Sequence, residues 1–327
     1  MNLKIGLGLL VVVVLVEMSV WYVTTHARQV EKAYSSRIKS QALSLMDEGN
    51  SAAGRKDQDS AIICYTAAIN LQGLSPEVTA KALINRGITE VALRRLDNAL
   101  YDYSTVIGMP DASVGQMSTA LLNRGCVYGE QEKFMEAATD FTRIIDMKDA
   151  PAETLTKAYF NRAQAYGELG DRDKEMADFA KAIELPDGAM EYVVKSLYFR
   201  GRLQNELALK MADFKRALDL SEACPDVPSD LKARILISRA TIYADQNDLP
   251  AAIVDLTRVI EGGKASPEWI AGARLNRGQY YRKQGERHKA ILDLQAVWSM
   301  MNIPRDISRE AEKALDEMKA IGGRHYD

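Results

Sequence analysis

Two charged side chains recur along this 327-residue sequence at spacings that could carry chemistry. The first set is Arg86, Arg124, Arg162, Arg200, Arg239 and Arg277; the second is Asp102, Asp140, Asp178, Asp213, Asp255 and Asp293. A guanidinium offers a rigid fork of donors that matches a carboxylate, so one arginine and one aspartate per copy invite an ion pair. Such a pair could join the two helices of one repeat, or one repeat to the next. The other use of a row of arginines is to reach an acidic ligand. Four of the arginines follow an asparagine, namely Asn85, Asn123, Asn161 and Asn276, while Phe199 and Ser238 interrupt the series. One residue along a helix turns the side chain by about 100°, so amide and guanidinium point in different directions. An amide carries donors and an acceptor and can satisfy a peptide bond of any sequence.

Catalytic chemistry finds no comparable pattern. His26, His288 and His325 are scattered, with no cysteine or carboxylate cluster at ligand spacing. Gly262-Gly263-Lys264 lacks the earlier glycine of a phosphate loop, because Arg258 stands there, so it reads as a helix-end turn. No acid–base pair can be nominated, so the expectation is a protein that is not an enzyme, with no metal, cofactor or small-molecule substrate. Cys64, Cys126 and Cys224 form neither an even disulfide framework nor a Cys-x-x-Cys. Cys64 and Cys126 fall on helices and read as small buried apolar residues. A net charge of −3 and a pI of about 5.8 provide no basic face for nucleic acid. With 47% apolar and 27% charged residues, the composition is that of a chain with a sizeable core.

The elements that must position these residues are read from their period. Successive arginines are 38, 38, 38, 39 and 38 residues apart. A fixed period in this range means stacked copies of one supersecondary unit. Within a copy, Tyr128, Tyr166, Tyr243 and Tyr281 sit three residues past a small residue. A turn follows, clearest at Gly170-Asp171 and Gly285-Glu286. Next come Ala99 and Tyr103, Ala137 and Phe141, Ala252 and Leu256, or Ala290 and Leu294; one copy has Glu175 ahead of Phe179. The spacing of Ala120, Leu121, Gly125 and Tyr128 puts them on one face of a helix, and Ala137, Phe141, Ile144 and Ile145 do the same on a second. A helix-interior glycine costs about 1 kcal/mol against alanine, so its recurrence after the arginine implies a close contact, placed here between two backbones.

Arg124-Gly125-x2-Tyr128 followed by Ala137-x3-Phe141 resembles the tetratricopeptide repeat family, whose pattern is W-x2-L-G-x2-Y, then A-x3-F, then Pro. The Trp position holds Ala or Leu, Arg replaces the Leu before Gly, and the period exceeds the family's of about 34 residues. The added residues precede the first helix, where Pro76, Pro151 and Pro267 read as first-turn prolines and Ser75 and Ser266 as N-caps. The resemblance covers residues 36–300. It implies an all-α fold, a right-handed α-solenoid of about seven antiparallel helix pairs. It also implies that the first helices line a concave groove, where Asn85, Asn123, Asn161 and Asn276 contact the backbone of an extended peptide. Lys81, Lys157, Lys195, Tyr198, Arg202 and Arg234 fall at further groove positions by the same resemblance, and their basic bias suits an acidic segment.

In chain order, residues 1–27 are expected to form a membrane anchor or signal segment, 28–303 the repeat domain, and 304–327 a capping helix and tail. Residues 5–23 contain a single charge, Glu17, and as helix would rise about 28 Å, enough to span a hydrocarbon core. Either a single-pass transmembrane helix with Trp21-Tyr22 at its interface, or a cleaved signal ending near Thr25-His26-Ala27, fits this stretch. Lys4 and the short N-terminal tail place the repeats on the extracytoplasmic, periplasmic side; Arg28, Lys32, Arg37 and Lys39 argue for the cytoplasmic side. Helix should continue through 28–40 into a degenerate first repeat, 36–71, that keeps Gly49, Ala52, Ala61, Tyr65 and Ala68. Six further pairs are expected near 76–108, 114–147, 152–185, 190–220, 229–261 and 267–299. The fifth repeat should stack differently, because Arg200 and Asp213 are 13 residues apart where Arg162 and Asp178 are 16. A last helix, 304–320, presents Ala311, Leu315 and Met318 as its apolar stripe, with Asp306 as its cap, before a frayed tail. The function expected is a membrane-anchored scaffold or assembly factor holding a protein or extended peptide in its groove. The alternative is a structural subunit packed in a membrane complex through its anchor and convex face.

Overall fold

Short-range signals define the helix ends. The side chains of Asp57, Asp171 and Asp248 accept from the backbone N–H of Ser60, Lys174 and Ala251, capping the second helices of three repeats. Hydrogen bonds from Ser60 and Lys174 hold the Asp57 and Asp171 carboxyls below the usual carboxylate range. Ser113 and Gln116 form a reciprocal capping box. Between the helices of six repeats one turn residue is left-handed: Lys56, Arg94, Glu132, Gly170, Asn247 or Gly285. A φ near +60° strains a side chain, so the sharp reversal is held by the packing around it.

The computed structural model describes the backbone of residues 2–322 and the side chains of residues 21–318. Among them there are helices and no strand. The pairs are α1 (Asn2–Gly54) with α2 (Gln58–Ile69), α3 (Pro76–Ala92) with α4 (Leu96–Ile107), and α5 (Val114–Glu130) with α6 (Phe134–Ile145). There follow α7 (Ala152–Glu168) with α8 (Arg172–Glu184), α9 (Met190–Leu203) with α10 (Leu207–Ala223), α11 (Ser229–Asp245) with α12 (Leu249–Gly262), and α13 (Pro267–Lys283) with α14 (Arg287–Trp298). α15 (Arg305–Gly322) covers the last pair, burying Ala311, Leu315 and Met318. The chain divides into two compact units, Met1–Pro151 and Ala152–Asp327. Within each, every helix packs on the next, which is the arrangement of an α-solenoid.

Clamps of one kind hold the second to seventh pairs. Each arginine donates from Nε and Nη2 to the two oxygens of its own repeat's aspartate, at 2.6–2.9 Å. The sequence leaves the partner of each arginine open, and the structure places it inside the repeat. Nη1 then reaches back to the preceding repeat, from Arg86 to Thr66, Arg124 to Ser104 and Arg277 to Thr257. Tyr128, Tyr166, Tyr243 and Tyr281, one turn on, carry the guanidinium on their rings at 5.7–5.8 Å. Glu90 replaces this tyrosine in the second repeat and accepts from Asn98. All six guanidiniums are thus engaged within the stack.

The recurrent glycine seats an aromatic ring rather than a second backbone. A Cβ on Gly87 would lie 2.6 Å from the Tyr103 ring, and one on Gly125 2.6 Å from Phe141. The opposing ring lies flat where the side chain is missing, which brings the two helices together.

The fifth repeat departs as expected. α9 is three residues shorter than the other first helices of its unit, and its turn to α10 has no left-handed residue. Arg200 still grips Asp213, but α9 and α10 both approach α11 less closely than equivalent helices approach each other.

Several end assignments are corrected. Ser75 and Ser266 hold the N-cap positions ahead of a first-turn proline, but neither side chain makes a capping bond. Pro151 lies just ahead of α7, and Asp306 lies in the first turn of α15 rather than at its cap. The apolar run 5–23 lies, through Val20, outside the residues whose side chains are described, and the tail 323–327 lies outside the described residues. Among the described residues, no helix is long and apolar enough to cross a membrane. α1 does continue unbroken through 28–40 into the first repeat.

Candidate peptide-binding face

In each unit a first helix touches the next first helix, α1 to α3 to α5 in one, α7 to α9 and α11 to α13 in the other. Among the described residues no second helix touches the next second helix in this way. The first helices therefore line the tighter, inner side of each stack, and their exposed positions form its candidate binding face.

In the first unit the asparagines divide. Asn85 donates to Asn50 Oδ1 at 3.1 Å, and Asn50 also accepts from the Tyr65 hydroxyl at 2.7 Å. This amide ties α3 to α1 and has little left to offer a peptide. Asn123 is half-buried and has no hydrogen-bond partner among the described residues. Beside it, Lys81, Ile88 and Cys126 are exposed. The expectation of a buried Cys126 is overturned: its position on α5 faces out from the inner side. Surrounding protein nevertheless desolvates the thiol and pushes it up to about 11, with Glu130 adding to the shift. Cys64 is half-buried, and no disulfide joins any of the three cysteines.

In the second unit Asn161 and Asn276 are half-buried on α7 and α13. Asn276 has no hydrogen-bond partner among the described residues. Phe199, where the series breaks, stacks on Phe179 and meets Phe160 edge-on. The predicted basic positions do not behave alike. Lys157 pairs with Glu153 and Lys195 with Glu191, each one turn back on its own helix. Lys195 also lies 4.4 Å from the centre of the Tyr192 ring. Glu153, Glu191, Asp187 and Asp226 line an open recess of about 430 Å³ together with Lys157, so this end of the face carries no basic excess.

Arg202 and Arg234 have no carboxylate partner among the described residues. Arg234 is half-buried, its guanidinium 5.1 Å from the ring centre of Tyr198, 5.9 Å from Phe199 and 5.7 Å from Trp269. Arg202 lies 5.7 Å from the same Tyr198 ring. Tyr198 itself is 5% exposed, stacks on Phe214 and has its hydroxyl 3.4 Å from Ser238 Oγ. It is corrected from a groove contact to a wall on which two cations rest. Tyr192, three residues ahead of Lys195, and Trp269, at the equivalent place on α13 three residues ahead of Gly272, escaped the sequence reading, because without packing an aromatic there reads as core.

This architecture matches known proteins. Residues 156–187 match the family model described as a tetratricopeptide repeat. A tetratricopeptide repeat protein from Parabacteroides merdae superposes with a TM-score of 0.53 at 19% identity, covering 84% of this chain and 98% of that one. The fold is that of a tetratricopeptide repeat protein. The apo form of RapI matches with a TM-score of 0.54 at 11% identity, over 84% of this chain and 99% of its own. Cut9, in a complex described as the APC/C hetero-tetramer Cut9-Hcn1, matches with 0.52 at 13% identity, over 85% of this chain and 48% of that one. No curated protein matches this sequence. Identities this low carry the fold and not the partner. The tetratricopeptide fold stacks repeats that leave an extended face for protein interaction.

Proposed function

We propose that this chain is a membrane-anchored scaffold or adaptor that holds an extended segment of a partner protein along its first helices. The observation that carries this is a half-buried amide on the inner side of each unit, Asn123 in the first and Asn276 in the second, with no hydrogen-bond partner among the described residues. A half-buried amide without a bond is costly unless something completes it, and a peptide backbone supplies donor and acceptor together. Residues 5–23 supply the anchor in this reading, and Lys4 puts the repeats outside the cytoplasm. The hetero-tetramer of Cut9, a protein of the same fold, is consistent with a role in assembly.

The test is crosslinking and mass spectrometry in cells, followed by measured binding of the identified segment to the full chain in detergent. Asn123→Ala or Asn276→Ala, whichever lies in the unit that holds the segment, should weaken it about fivefold if the amide contributes about 1 kcal/mol. Unchanged affinity, with helicity retained, would remove the amide ladder. Protease protection of the repeats in intact cells, lost in spheroplasts, would place them outside the cytoplasm.

A second reading, a structural subunit packed through its outer face, is favoured by one observation. Ile63, Tyr101, Val254 and Leu292 are exposed at the same position of four second helices. Crosslinks concentrated at those residues rather than on the first helices would select it.

A further inference from the structure

We infer that the exposed stretch of α1, residues 21–37, is an interface on which a second copy of this chain packs, the two helices running parallel. Every residue of the stretch except Thr25 is exposed. Helices draw most of their stability from packing an apolar face, and on α1 burial begins only at Ala42 and Met46, in the core of the first repeat. Between Thr24 and Ser36 the apolar residues are Ala27, Val30, Ala33 and Tyr34. Val23, Ala27, Val30 and Tyr34 follow the alternating steps of four and three that make a seven-residue repeat. They share one side of the helix, with Val23, Val30 and Tyr34 56–63% exposed. In the sequence the same steps continue through Val20, Val16 and Val13.

Two observations name the occupant. A strict stripe of this kind is narrower than the face a helix turns to a globular core, and it fits the seam between two helices. The flanks of the seam then complement themselves. In a parallel, in-register pair, the residue just ahead of one seam position faces the residue five further on in the other helix. His26 therefore meets Glu31 of the second copy, and the two-fold axis repeats the contact on the other flank. Within one chain these two residues fall on opposite flanks of the helix, and Glu31 has no ion pair among the described residues. Arg28, Lys32 and Lys39 lie away from the seam, so the pairing brings no like charges together. Arg37 takes the next seam position, and the Tyr34 ring lies beside Gly73 in the turn before α3, so the two helices part there. The inference goes beyond the proposed function and uses only its anchor, which would hold two copies parallel in one membrane.

The experiment uses the full-length chain in detergent, with one cysteine at a time introduced on α1 and disulfide-linked dimer read on non-reducing gels. The wild type, with its own three cysteines, sets the background. In the pair, Cα atoms on the seam come within the reach of a disulfide, about 4.4–6.8 Å, and those on the outer side do not. Val23→Cys and Val30→Cys should each form dimer at least about tenfold faster than Thr25→Cys and Lys32→Cys. A charge swap then tests the register. Added to Val30→Cys, His26→Glu sets like charges across both flanks and should slow dimer formation about three- to tenfold; adding Glu31→Lys as well should restore it. Equal rates at seam and outer positions, or a swap that does not restore, would overturn the pairing. A full-mass chain that forms no dimer would overturn it too and leave the anchor standing. A mature chain that lacks residues 1–27 by mass spectrometry would overturn both.

Discussion

Breaking one of the arginine–aspartate clamps should cost more from the arginine side than from the aspartate side. In the third repeat Arg124 and Asp140 share two hydrogen bonds of 2.7 Å. The Asp140 side chain is 4% exposed and that of Arg124 15%. Arg124→Leu strands a carboxylate that water barely reaches, and loses the 3.0 Å bond to Ser104 on α4 as well. Such a loss costs about 3–5 kcal/mol when the surviving charge stays buried. Asp140→Asn leaves a guanidinium that can still present an edge to solvent, so the cost should be nearer 1.5–3 kcal/mol, about the range for one charged hydrogen bond. Combining Arg124→Leu with Asp140→Leu removes both desolvation costs. The combined loss should fall at least about 2 kcal/mol short of the sum of the single leucine changes. Urea midpoints at constant m-value measure the totals, and amide exchange in α5 and α6 localises them. Additive costs, with coupling below about 0.5 kcal/mol, would refute the clamp as a unit, as would a larger loss from Asp140→Asn than from Arg124→Leu.

Other outcomes follow from single environments. Glu175 stands where most other repeats have alanine, and burial raises its carboxyl above the usual range. The charged form is therefore the disfavoured one in the fold, so Glu175→Ala should stabilise by a few tenths to about 1 kcal/mol at neutral pH, after discounting for solvent screening. That gain should vanish as pH falls below the ordinary carboxylate range, where folded and unfolded states both hold the proton; a gain that persists in acid would contradict this. Cys126, exposed yet pushed from 9.0 up to about 11, should react with a thiol reagent near neutral pH about a hundredfold more slowly than an unperturbed thiol. Labelling at the rate of a small-molecule thiol would rule that out. Gly87→Ala forces a methyl to within 2.6 Å of the Tyr103 ring and should destabilise by about 1–2 kcal/mol net of its better helix propensity. A stabilised Gly87→Ala protein in thermal melts would show that the ring moves freely.

The sequence by itself determined the repeat period, the helix pairs to within a few residues, the shortened fifth repeat and the terminal cap. These depend on signals within one turn or one helix: apolar spacing, capping side chains, prolines and small residues. They repeat, so each copy checks the next. The equal numbers of Arg and Asp in the two series also announced a pairing, but a separation of 16 residues suits a partner in the same repeat or the next equally well. Only the packing of three helices chose between them, by placing the aspartate across the pair and a Ser or Thr behind it. The binding face was legible as a set of positions and misjudged as a set of charges. Lys157 and Lys195 are neutralised on their own helices, Asn85 is tied to Asn50, and Tyr198 is buried beneath two arginines. Asp230 could have paired with Arg234 at the same spacing, yet it accepts from the Ser266 N–H at the entry to α13 instead. Which of two reachable partners a side chain takes depends on distances between helices, and those are decided by tertiary packing.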